Sequence, residues 1–379
     1  MELHRCAYDV VSGWRGLPPP AIDGERTLVL LFGAPELPLG DALAELRRVL
    51  PRAHLLGCST AGEIHQERVR DDSISAAVIR FARTDLRLAS APVATDADSR
   101  AAGVAIADAL AGPGLRGVVV LSEGLAVNGS ELARGLGDRL DPGVIVTGGL
   151  AGDGGRFHRT WVLHRDRPTA AMVTAVGLYG DHVHLGHGSQ GGWDIFGPDR
   201  VVTRSAGNVL YELDGKPALA LYKEYLGDRA AGLPTTALLF PLAILRDAAS
   251  HRVVRTVLGV DEATQSMRFA GDIPQGALAQ LMRSNVDRLV TGAADAALAA
   301  RPRSPGRPVL SLAVSCVGRR LVLKGRTEEE LEAALDGLPA GSTQVGFYSY
   351  GELSPIASGR CELHNQTMTL TTIDEDGAA

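Results

Sequence analysis

Several short stretches of this 379-residue chain carry side chains able to do chemistry. In "GCSTAG" (57–62) Ser59 sits in a glycine-flanked turn, but a nucleophile elbow needs G-x-S-x-G, and here Gly62 comes one residue late. In "GFYSYG" Ser349 follows Gly346 by three, again off by one. With no base and orienting acid in order, hydrogen-bonding or turn roles are expected for both serines, and no catalytic residue is assigned. "GGLAGDGG" (148–155) lacks the Gly-Lys-Ser/Thr end of a phosphate loop and does not fit G-x-G-x-x-G. Asp153 beside a glycine nest favours a cationic group, because a carboxylate next to phosphate must be offset. A zwitterionic amino acid would use both characters, N–H groups for its carboxylate and Asp153 or Glu352 for its ammonium. Glu352, directly after Gly351, is costly to bury unpaired, so it is either paired or faces a polar cleft. Tyr348 and Tyr350 share a strand face and offer hydroxyls; Trp193 adds aromatic surface, while Phe347 reads as core. The candidate ligand set is therefore Ser59, Thr60, Asp153, Trp193, Tyr348, Tyr350, Glu352, His364 and Asn365.

Metal chemistry finds less support. His182 and His184 share a strand face and His187 follows a glycine, a spacing without a fixed metal signature, and a hydrogen-bonded or solvated set is expected. "CELHNQTMTLTTI" (361–373) reads as one strand, on which Cys361 and His364 point to opposite faces, so they make a poor joint metal site. His364 or Asn365 can instead reach a cleft near "YSYGE". The four cysteines, at 6, 58, 316 and 361, are too scattered for a zinc site or disulfide framework.

The elements that must position these residues recur. A strand at 27–31 leads to "LGDALAELRRVL", with Leu39, Leu43, Leu46 and Leu50 on one helix face, and then to a second strand. The interval from Gly33 to Gly57 equals that from Gly124 to Gly148, where Asn128 or Ser130 can cap the intervening helix. A third copy runs from "RPVLSLAVSCVGRR" to "TQVGFYSYGELSP", aligning Gly57, Gly62, Glu63 and Ile64 with Gly346, Gly351, Glu352 and Leu353. The pattern predicts an α/β fold of repeated strand-helix-strand units with parallel or mixed sheets, in two subdomains. The glycine-rich strand ends are where backbone N–H groups would approach a ligand. A β-rich segment covers about 170–210, followed by a helix with Asp214 as cap and Pro217 in its first turn; residues 301–308 read as an exposed loop.

Bulk properties exclude several classes. A net charge of -6 without basic stripes argues against nucleic acid, and the pair Arg319–Arg320 is expected on the surface. No apolar run approaches 18 residues, and "TTALLFPLAIL" reads as a buried strand, so no membrane insertion is expected. The start lacks the pattern of a secretory signal, which predicts a cytoplasmic location.

Together, "GCSTAGEI", "GGLAGDG", "GW" at 192–193, "ELDGKPAL", "GFYSYGELSP" and "HNQTMTLT" resemble the FIST sensory domain. The resemblance implies an N-terminal FIST domain at 27–220 and a C-terminal one at 221–360, its final strand continuing to about 373. It further implies an input module that binds a small ligand, amino acids among the suggested cues. Partners implied are histidine kinases of two-component systems, chemoreceptors or cyclic-dinucleotide enzymes; the chain, ending at Ala379, would signal through a separate protein. Some members are described as haem-containing nitric-oxide sensors, so haem stands as the alternative cofactor, and an uncharacterised enzyme as a second alternative.

Overall fold

The computed structural model describes residues 1–245, 252–302 and 306–376; the middle of the expected 301–308 loop lies outside them. Three parallel strand pairs form the centres of three mixed sheets: Thr27–Gly33 with His54–Ser59, Leu115–Ser122 with Ile145–Leu150, and Leu310–Cys316 with Thr343–Ser349. Each pair is joined by helix, the first through Leu39–Val49, the second through Gly129–Gly137, the third through Val317–Leu323 and Thr327–Asp336. Leu39, Leu43, Leu46 and Leu50 are all buried, as their spacing predicts.

The repeats interlock cyclically. After its second parallel strand, each repeat gives a short antiparallel hairpin to a neighbour's sheet: Glu63–His65 pairs with Thr343–Ser349, Val162–His164 with His54–Ser59, and Gly351–Pro355 with Ile145–Leu150. The chain then returns to its own sheet through Ser73–Arg80, Met172–Tyr179 or Met368–Glu375. A strand from the start of each repeat completes one six-strand order common to all three sheets, Glu2–Asp9, Asp85–Pro92 and Val183–Gln190; in repeat I Gly13–Arg15 adds a seventh strand outside Glu2–Asp9. Repeat I thus spans residues 2–80, repeat II 85–179 and repeat III 183–375.

Leu28, Phe32, Val119, Leu121, Leu312 and Phe347 come from all three sheets into one core, with Phe32 and Phe347 stacked at 5.0 Å. Close packing of the parallel pairs explains one glycine per repeat: a Cβ at Gly57, Gly148 or Gly346 would lie 2.4, 1.9 or 1.7 Å from the carbonyl oxygen of Leu31, Val120 or Ala313. Gly57 and Gly148, the second glycines of the two equal intervals in the sequence, and Gly346, aligned with Gly57, are the residues that make this contact.

Repeat III carries an insertion. Between Val183–Gln190 and the helix Val286–Ala299 lies a fourth, wholly antiparallel sheet with its own core of Val202, Leu210, Met267 and Phe269. The helix Ala218–Leu226 belongs to it, but Asp214 does not cap that helix. Asp214 sits in the turn before it at φ +50°, and its carboxylate accepts from the Val201 N–H and Arg200. "TTALLFPLAIL" also differs from expectation: Thr235–Leu239 is a 3₁₀ turn and only Leu242–Leu245 is strand, since Pro241 lacks a ladder donor.

"CELHNQTMTLTTI" is two strands in two sheets, Cys361–His364 and Met368–Glu375, parted by Gln366 at φ +61°. Its threonines are buried because the second strand is covered on both faces; Thr372 donates to the Ala300 carbonyl and Thr371 pairs with Thr147 at 2.5 Å. Arg319 corrects the surface expectation. It is fully buried, paired with Glu330 at 2.7 Å and donating to the carbonyls of Leu289 and Gly191.

Candidate functional site

The three glycine-rich strand ends meet near the pseudo-threefold axis. Gly152 N–H donates to the Ser59 carbonyl at 3.1 Å, Ala61 N–H to Tyr348 at 2.8 Å, and Tyr350 N–H to Leu150 at 3.1 Å. In each repeat the acceptor lies two residues, and the donor four, after the tight glycine. These backbone groups, expected to face a ligand, are spent on locking the repeats together.

Beyond this ring the repeats diverge. In repeats I and III the turn is short and a buried glutamate closes it. Glu352 accepts from Ser349 Oγ at 2.6 Å, Thr367 Oγ1 at 2.9 Å and the Thr367 N–H at 3.3 Å. Glu63 repeats this arrangement with Thr60, Ser73 Oγ at 2.8 Å and the Ser73 N–H at 3.3 Å. Burial lifts both carboxyls, Glu63 to about 7 and Glu352 to about 8, against hydroxyl and N–H donors that act the other way. Glu352 is fully buried and lines neither cleft described below, so its hydrogen-bonding needs are met internally.

Repeat II has residues 151–161 in place of that turn. Asp153 organises the loop: its carboxylate accepts from the N–H groups of Phe157 at 2.8 Å, His158 at 2.7 Å and Arg159 at 2.7 Å, and from the Tyr350 hydroxyl. Burial acts to raise this carboxyl, yet the Tyr350 hydroxyl and the three N–H groups together hold it below the usual carboxylate range. The outcome is Phe157 at φ +53°, a conformation bulky residues rarely adopt, 49% exposed and stacked on Tyr350 with centroids 4.5 Å apart and planes at 15°.

The Phe157–Tyr350 stack borders a cleft of about 600 Å³. One wall is repeat II, with Leu125, Leu150 and Asn128, whose Oδ1 caps the helix Gly129–Gly137 and whose Nδ2 donates to Asp272 at 3.1 Å. The opposite wall is the inserted sheet, through Asn208, Leu258 and Arg268. A second, smaller cleft of about 260 Å³ lies beside Thr60, Gly62, Asp71 and Asp153.

Of the nine candidate residues, Tyr350 lines the large cleft, Asp153 supports its rim, and Thr60 and Asp153 line the smaller one. The structure does not gather the others there. Ser59 Oγ is buried and accepts from the Trp161 N–H at 3.0 Å; the Tyr348 hydroxyl donates to Glu330 at 2.8 Å. Trp193 is packed in a separate cluster, donating to the Gln366 carbonyl at 2.8 Å. His364 Nε2 meets the Ser354 carbonyl at 3.1 Å, and burial lowers its pKa to about 4; Asn365 Nδ2 donates to the His364 carbonyl at 2.9 Å. Phe157, Asn128, Arg268 and Leu258 were not singled out as site residues. Phe157 had a signal in its place just after "GDGG"; Arg268 and Leu258 had none.

The large cleft offers poor support for haem. Among the described residues its lining contains no His, Cys or Met, and the hydroxyl of Tyr350 is committed to Asp153. Among the described residues no group of His, Cys, Asp and Glu side chains is arranged to hold a metal ion, and no helix is long and apolar enough to cross a membrane.

The architecture is that of an α/β protein of three interlocked repeats with a clefted, inserted sheet. Its sequence matches the FIST N domain over residues 27–216 and the FIST C domain over 218–355. The chain belongs to the FIST family, whose domains serve as sensory modules of signalling proteins. The two matched segments meet at Pro217 within the inserted sheet, and the sheets of repeats II and III draw strands from both, whereas the sheet of repeat I lies wholly within residues 2–169. A comparison with curated proteins finds no match.

Proposed function

We propose that this protein is a cytoplasmic sensory module that binds a small molecule in the cleft between repeat II and the inserted sheet. It would report occupancy to a separate signalling protein, such as a histidine kinase, a chemoreceptor or a cyclic-dinucleotide enzyme. The observation that carries the reading is where the cleft lies: the enlarged turn of repeat II and the insertion in repeat III, the two largest departures from the threefold pattern, face each other across it. A left-handed, half-exposed phenylalanine in a loop held by three N–H donors to Asp153, those of Phe157, His158 and Arg159, is local strain maintained at that place, as functional sites maintain it. Both walls contribute, so a ligand touching both would change their relative position or mobility, which is the differential interaction a sensor needs. Amino acids fit the cleft's size and its mixture of apolar and polar lining.

Native mass spectrometry of the protein as isolated tests the reading. A bound small molecule that is lost on Phe157→Ala, with the melting temperature unchanged, is the expected result. Retention of that molecule in the Phe157→Ala protein would move the sensing site elsewhere.

A further inference from the structure

The cleft walls narrow the chemistry of what they can hold. Among the described residues two charged side chains line the cleft, Asp96 from repeat II and Arg268 from the inserted sheet. Among the described residues neither side chain has an ion-pair or hydrogen-bond partner. Nearby arginines are engaged: Arg134 with Glu131 and Asp272, Arg204 with Glu212, and Arg255 with the carbonyls of Asp272 and Leu363. Arg268 is the exposed residue between Met267 and Phe269, both buried in the core of the insert, so the strand Ser266–Phe269 presents its guanidinium outward from a fixed backbone. Around the same opening Leu125, Phe157 and Leu258 remain 42%, 49% and 39% exposed, three large apolar side chains left uncovered at one place.

Resting on the assignment of this cleft as the sensing site, we infer that its ligand is a carboxylate with an apolar or aromatic body. The body lies against the Phe157–Tyr350 stack, and the carboxylate pairs with Arg268. A guanidinium presents two parallel N–H donors that match a carboxylate, and one facing the cleft without a partner among the described residues favours an anion over a cation there. A stacked aromatic pair with leucine on either side gives a flat apolar surface suited to a ring or branched chain. Two sources share this chemistry. A simple carboxylate would leave Asp96 in water, whereas an α-amino acid would place its ammonium toward Asp96.

Calorimetric titration at low ionic strength with 3-phenylpropionate, phenylalanine and 2-phenylethylamine separates these cases. Both carboxylates are expected to bind and the amine to bind at least tenfold more weakly. Arg268→Gln, an exposed substitution, should weaken both carboxylates about ten- to a hundredfold at unchanged melting temperature. A further loss on Asp96→Asn seen with phenylalanine alone identifies the amino-acid source; equal affinities in that variant identify the simple carboxylate. The inference is overturned if neither carboxylate binds, if the amine binds as well as 3-phenylpropionate, or if Arg268→Gln leaves affinity unchanged. A co-purified molecule that lacks a carboxylate but is lost on Phe157→Ala would overturn this inference and leave the sensing site standing.

Discussion

Three equivalent turns leave the axis of this molecule, and they have had different fates. In repeats I and III the turn occupies residues 60–62 and residue 350, and a buried glutamate fastens it to the start of the returning strand. In repeat II it has grown to residues 151–161, and an aspartate fastened to its own loop's N–H groups holds an aromatic ring out toward a cleft. Both kinds of turn use a carboxylate with several donors. What separates them is where the saturated carboxylate leaves its neighbours: buried threonine and serine in one case, half-exposed phenylalanine in the other. A full set of internal partners thus marks Glu63 and Glu352 as structural, while Arg268, unpaired among the described residues, and the strained Phe157 are the features on which the proposed ligand site rests.

The largest effect expected from breaking this comparison is on the glutamate turns. Glu352→Ala leaves two hydroxyls and an N–H without their buried acceptor and should cost about 3 kcal/mol in urea unfolding, with Glu63→Ala close to it. An unchanged midpoint for either would show that the turn is not fastened through its carboxyl.

The same carboxyls predict a pH dependence. The folded protein holds these protons up to about 7 and 8, whereas glutamate in the unfolded chain releases them near 4.5. The folded state therefore binds more protons in between. Their contribution is complete below pH 4.5 and is lost as pH rises through 7 to 8. Stability of the wild type should fall over that window relative to the Glu63→Gln/Glu352→Gln protein, and parallel pH profiles would contradict the assignment.

Asp153→Asn should act more weakly and locally. It keeps an acceptor but loses charge-assisted bonds, for about 1.5 kcal/mol, and amide exchange at Phe157, His158 and Arg159 should accelerate while the repeat cores stay protected. Uniform acceleration would mean that the loop is part of the scaffold and not an addition to it.

The smallest stability effect is expected for Phe157→Gly. Relief of the left-handed backbone offsets the lost stacking, leaving stability within about 0.5 kcal/mol while ligand binding falls. A large drop in melting temperature would place Phe157 with the glutamates as a structural residue.

Much of the scaffold was legible in the sequence because it repeats. The spacing of Gly57, Gly148 and Gly346 and the leucines of the first helix follow from close packing and helical period, both local properties. The exchange of hairpins between sheets was not legible, since strand pairing across hundreds of residues leaves no mark in periodicity. Glu352 looked like a site residue because an acidic side chain after a glycine at a strand end suits a cleft. That Ser349 and Thr367 would close over it depends on the chain's return as Met368–Glu375. The candidate cleft was least legible, because Arg268 and Leu258 come from the inserted sheet and acquire meaning only opposite Phe157.

Hydrogen exchange of the full chain with and without the low-molecular-mass filtrate of a cell extract tests the central claim most directly. Ligand bound where the threefold pattern breaks should protect residues 153–160 and 258–271 together. Protection confined to residues 60–72, beside the smaller cleft, would contradict the account.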